Sequence, residues 1–196
     1  MKSNLAATVI LAGLTSGALV SGARAQQQLL PAPGPPLAGI CVYSAQAVLA
    51  TSTAGVSANR KLAELSQSIT GQLQPTGTQI DADSKALSAQ KASLPAAAYE
   101  QKVAALQQRV QDLRNLAQTR KDQLERSRDG AINQINTATL PLLNASIAAH
   151  HCSIVVDKNT IYSVNTAMEL TNEITQKLNA ALPSVTFELA PPQVAR

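Results

Sequence analysis

Between Tyr99 and Leu124 apolar residues recur in alternating steps of three and four: Val103, Leu106, Val110, Leu113, Ala117 and Leu124, with Arg120 as the one polar member. This spacing writes a narrow stripe along one side of a helix. A helix packed on a broad core needs a third apolar position per two turns, so this one is expected to dock along a single partner helix. A second, weaker seam precedes it, with Leu73, Ile80, Leu87 and Leu94 recurring every seven residues after Leu62, Leu65 and Ile69. Ala92 to Ala96 separates the two, and Pro95 suits the first turn of a new helix better than continuation of the old one. Two long helices joined by so short a connection fold back antiparallel, and the expected arm spans residues 56–149.

Composition agrees with a thin contact layer. The chain is 45% hydrophobic but only 2% aromatic, with no Trp, so small aliphatics carry most of the apolar content and a thick core lacks its usual bulk. Pro75, followed by Gly77, and Pro141 fall inside the two arm helices. Each removes a backbone donor and crowds the preceding turn, so a kink or interruption is expected, acting either as a hinge or as a fixed bend.

The N-terminus reads as a signal peptide over residues 1–25. Lys2 supplies the positive start, Leu5 to Val20 is apolar without charge, and Ala23-Arg24-Ala25 has the small-x-small form of a cleavage site. An uncleaved anchor helix is the alternative. Cleavage after Ala25 implies an exported, soluble protein. Residues 26–38 are rich in proline, with Pro31, Pro33, Pro35 and Pro36, and read as a disordered leader.

On either side of the arm the pattern changes to that of a small body, residues 39–55 and 150–190. Ile40 to Tyr43 reads as a strand, with Ser44 capping a short helix over Ala45 to Ala50. Ser153 to Asp157 reads as a second strand, Lys158 to Thr160 as a turn, and Ile161 to Val164 as a third strand. Thr166 with Glu169 has the form of a capping box before a helix with Leu170, Ile174, Leu178 and Ala181 on one face. Val185, Phe187 and Leu189 alternate with polar residues, as in an edge strand. The expected fold class is α+β: a long antiparallel coiled-coil hairpin projecting from a small sheet or barrel. One copy of such a body would leave strand edges open, which favours self-association.

Few residues suggest chemistry. The net charge is +4, of which Lys2 and Arg24 account for two units, too mild a balance to argue for nucleic acid. Neither a phosphate-cradling glycine loop nor a metal-ligand spacing is present, and no nucleophile with base or acid pair can be assembled, so neither cofactor nor enzymatic activity is expected. Cys41 and Cys152 lie at or beside strands that must meet; they form either a disulfide, favoured by an oxidising compartment, or two buried thiols. His150 and His151 are adjacent and cannot share a helix face as a metal pair would. Arg120, Lys121, Arg126 and Arg128 are interleaved with Asp122, Glu125 and Asp129, the pattern of a solvated, salt-bridged face. Asp157 suits a turn-capping role, and Tyr99 could brace the hairpin turn or touch a partner.

GICVYSAQAVLATSTAGVS at Gly39 to Ser57, CSIVVDKNTIYSVNTAMELTNEITQKL at Cys152 to Leu178, and the helical hairpin between them resemble the Skp (OmpH) family of periplasmic chaperones of Gram-negative bacteria. The resemblance covers Gly39 to Leu182, and its most specific part is the Val155-Val156-Asp157 strand with the turn and terminal helix after it. It implies a homotrimer with a shared barrel-like body, whose three hairpins enclose unfolded outer-membrane proteins in the periplasm without ATP. The sequence departs from that family in charge: residues 56–149 hold 11 Lys and Arg against 8 Asp and Glu. So balanced an arm gives no strongly basic tip to hold lipopolysaccharide or anionic lipid. A structural coiled-coil adaptor that bridges envelope proteins through the arm tips is the alternative function. No single stretch stands out as the client contact.

Overall fold

A computed structural model describes residues 33–193. The proposed signal peptide and the first part of the leader lie outside these residues. The chain runs β1 (Ile40–Tyr43), α1 (Ala45–Thr51), α2 (Thr53–Ala89), α3 (Ala96–Ala149), β2 (Ile154–Asp157) and α4 (Thr171–Ala181). It is mostly helical with one small sheet. Among the described residues no helix is long and apolar enough to cross a membrane.

Short-range chemistry sets the joints. The Ser44 side chain accepts from Ala47 N at the start of α1, and Ser52 does the same for Gly55 N at the start of α2. Helix α1 therefore ends and α2 begins within one residue, so α2 starts at Thr53 and not at Val56. At the far end α3 closes in a Schellman motif: Cys152 N donates to Ile147 O and His151 N to Ala148 O, with His151 at φ 52°. A left-handed residue there turns the chain sharply from α3 into β2.

The sheet has two parallel strands, with Ile40 opposite Ile154 and Tyr43 opposite Asp157. A third strand over Ile161 to Val164 does not form. The remaining edge of β1 is taken by Glu169 and Leu170, where Leu170 N donates to Val42 O, and after the 3-10 turn over Lys158–Thr160 the Ile161 segment does not return along β2. The Thr166–Glu169 capping box is likewise absent. Asn165 caps a single 3-10 turn over Thr166–Met168, and Glu169 pairs with Lys158 Nζ instead of reaching back to its own helix. Val185 to Leu189 is extended with buried and exposed residues in alternation, yet it joins no strand; its backbone is held by helix side chains.

The core sits where the arm meets the sheet. Val48 of α1, Ala54 and Ala58 of α2, Ala131 and Ile135 of α3, and Leu170, Ile174 and Leu178 of the last helical face form one buried cluster. Ala181, expected on that face, is exposed. Pro75 and Pro141 both lie inside continuous helices, so neither interrupts its arm. Helix α2 ends at Ala89, which leaves Leu94 in the connection and off the helical seam.

Candidate functional site

The arm is built from α2 and α3, which run antiparallel from the middle of α2 to the tip. Gly77 lies beside Leu113, Asp83 pairs with Arg109, and Lys102 Nζ donates to Gln90 Oε1 at 3.3 Å, so advance along α2 is met by return along α3. At ~1.5 Å per residue, the 37 residues of α2 extend about 55 Å. From Thr70 to the tip and back to Arg120, the side-chain hydrogen bonds and ion pairs of the described residues stay within these helices and their connection.

The seam is thin. Ile80 and Leu87 are buried, while Leu73, Val103, Leu106, Val110, Leu113 and Leu124 are half-buried. Two helices can close a seam on each other but cannot cover its flanks, so apolar side chains remain partly open to solvent. At the tip, Leu94 and Tyr99 are also half-buried. The arm carries opposite charges in pairs, and the Asp83 carboxyl is held below the usual range chiefly by hydrogen bonds from Arg109 and Gln79.

The root of the arm differs. From Gln123 to Thr139 the buried positions of α3 are Gln123, Ser127, Ala131, Ile135 and Thr139, mostly polar or small and spaced by four, with Ser146 buried further on. The C-terminal tail lies against them. Ser57 Oγ accepts from Val185 N at 2.9 Å, Ser127 Oγ accepts from Ala190 N at 2.8 Å, and Gln123 Nε2 donates to Ala190 O. Arg126 donates to Pro191 O, so this member of the basic cluster serves the tail and not a solvated face. Lys121 pairs with Glu125 at 3.8 Å, as such a face would. Sequence reasoning missed Ser57, Gln123 and Ser127. The available signal was the replacement of Leu and Val by Gln and Ser at inward positions of a helix still in contact with its partner.

The sulfur atoms of Cys41 and Cys152 are joined, with Cα atoms 5.7 Å apart and a sequence separation of 111. The bond ties β1 to the turn between α3 and β2, so the whole arm lies within one covalent loop. His150 and His151 are separated in role as well as direction. His150 Nε2 lies 2.7 Å from Glu173 Oε2, whereas His151 forms the left-handed turn. Ser146 and Lys177 also donate to Glu173, and these bonds, that of Lys177 first, bring its carboxyl down to about 2. Asp157 accepts from Asn159 N at 2.9 Å, the turn-capping geometry.

A family model described as Outer membrane protein (OmpH-like) matches residues 39–178. The chain belongs to the OmpH-like family. Among solved structures, the chain is similar to a protein from Caulobacter crescentus CB15 described as an OmpH-like outer membrane chaperone, with a TM-score of 0.74 and 24% identity over 84% of this chain and 97% of that one. At this identity the likeness establishes the shared fold. No curated protein matches the chain.

Proposed function

We propose that this OmpH-like protein is an ATP-independent periplasmic holdase that encloses unfolded outer-membrane proteins between helical arms. The observation that carries the reading is the arm itself: two helices of 37 and 54 residues whose seam leaves a row of Leu and Val side chains half-open along its flanks. Many weak apolar contacts spread over a long surface can shield an unfolded chain without one tight pocket that would retain it. The description of the Caulobacter relative as an outer membrane chaperone supports the same reading.

The active form is a homotrimer. Ile154 is 55% exposed, Val155 38% and Tyr162 87%, and the outer edge of β2 has no strand beside it among the described residues. An apolar strand with a free edge is a liability that pairing with further copies removes. The adaptor alternative has less support, because Leu94 and Tyr99 at the tip are turned partly inward and offer little apolar surface to a partner.

The deciding experiment uses mature protein and an unfolded β-barrel protein diluted from urea. A trimeric mass by light scattering, with aggregation suppressed at stoichiometric ratio and no nucleotide present, is the expected result. A monomer without suppression would reject the proposal.

A further inference from the structure

The C-terminal tail is held in an unusual way for a closing segment. All but one of its hydrogen bonds with the arm root join helix side chains to its main chain: Val185 N donates to Ser57 Oγ and Ala190 N to Ser127 Oγ, while Ser127 donates to Glu188 O, Gln123 to Ala190 O and Arg126 to Pro191 O. Main-chain groups are common to every polypeptide, so these contacts read an extended backbone and not a sequence. Side-chain selection comes from alternation alone. Val185 is buried, Phe187 and Leu189 are half-buried, and Thr186 and Glu188 between them face outward. Bonds to an extended main chain plus apolar contacts at every second residue are the physics by which proteins bind extended peptides in general.

The tail also fits its groove incompletely. A cleft of about 380 Å³ remains between residues 184–188 and the stretch of α2 that includes Ser57 and Lys61. The charged side-chain pair of Lys61 with Glu188 at 3.3 Å leaves Glu188 85% exposed and is weak.

We propose that this root groove is a binding site for an extended polypeptide segment with apolar residues at alternate positions, and that tail residues 184–191 occupy it in cis. The class of ligand follows from the tail's own pattern, which is also the dyad pattern of an outer-membrane β-strand before it folds. The tail is then a built-in competitor: an incoming segment must displace it, and the groove opens only when one is available. The identification of that segment with a client strand rests on the holdase reading; the groove and its preference for alternation do not.

The test measures fluorescence anisotropy of a labelled peptide with the sequence of residues 184–191, titrated with the full chain, and with a scrambled peptide in which the apolar residues are adjacent. Val185→Asp weakens the tail where it is buried. The double variant Glu188→Lys with Ala190→Pro weakens it at an exposed and a half-buried position, so a variant that folds is available if the first does not. Amide exchange of Thr186 to Leu189 reports release of the tail. Affinity for the alternating peptide at least tenfold higher in a released variant than in the unaltered chain, lost again on adding Gln123→Ala and Ser127→Ala, is the expected result. Released variants that bind no better, variants that do not release the tail, or equal binding of the scrambled peptide would each overturn the proposal. Aggregation suppression by the unaltered chain is measured separately; its absence would remove the holdase reading and leave the groove result standing.

Discussion

A Cβ placed on Gly55 would lie 1.8 Å from the carbonyl oxygen of Leu49. Two helices meet there with no room between their backbones, because Ser52 ends α1 and caps α2 in a single residue. Gly55→Ala cannot be absorbed by a side-chain rotation, since the obstacle is main chain. It should cost more than the ~1–3 kcal/mol typical of overpacking, and the urea midpoint of the variant should fall accordingly or folding be lost.

Where α3 returns to the body, His151 holds a left-handed conformation that favours glycine. His151→Gly should raise stability by about 1 kcal/mol, read as a shift in urea midpoint at unchanged slope. The same variant keeps His150 on Glu173, so no loss from that pair is expected.

The pH dependence follows from Glu173. Its carboxyl is lowered from 4.5 to about 2 in the folded chain, so its stabilising effect is complete above pH 4.5 and is lost as pH falls toward 2. With 32% of the side chain exposed, solvent screening reduces the effect to about 1 kcal/mol. Glu173→Gln should flatten this part of the acid limb in a series of urea melts from pH 6 to pH 2.

Reduction of the Cys41–Cys152 bond releases a loop spanning 111 residues. On the chain-entropy estimate it contributes about 4 to 5 kcal/mol. Chemical melts with and without reductant should differ by that order, and thiol titration under denaturing, non-reducing conditions should find no free thiol.

Gly71 has open space around its α-carbon in the middle of α2. Gly71→Ala should therefore stabilise the arm by about 0.5–1 kcal/mol, within the range of helix propensity. Thermal melting followed by circular dichroism at the helix band would measure it.

What the chain's own pattern determined is whatever depends on near neighbours. The three-and-four spacing of Val103 to Leu113 and the seven-residue recurrence of Leu73, Ile80 and Leu87 wrote the arm, because helix faces repeat within a few residues and a two-helix seam needs no other partner. Ser44 wrote the start of α1 in the same local way. The misreadings fall where a segment's outcome depends on what remains free elsewhere. Ile161 to Val164 has the composition of a strand, but after the 3-10 turn at Lys158–Thr160 it does not return along β2, and Glu169 and Leu170 hold the other edge of β1. Val185 to Leu189 has the alternation of a strand and finds side chains of Ser57, Gln123 and Ser127 in place of a sheet. Pro75 and Pro141 would break an isolated helix; here packing along the partner helix and the root core keeps both helices continuous. Alternation and β-branching state that a segment will be extended, and only the assembled fold decides which donors and acceptors meet its backbone.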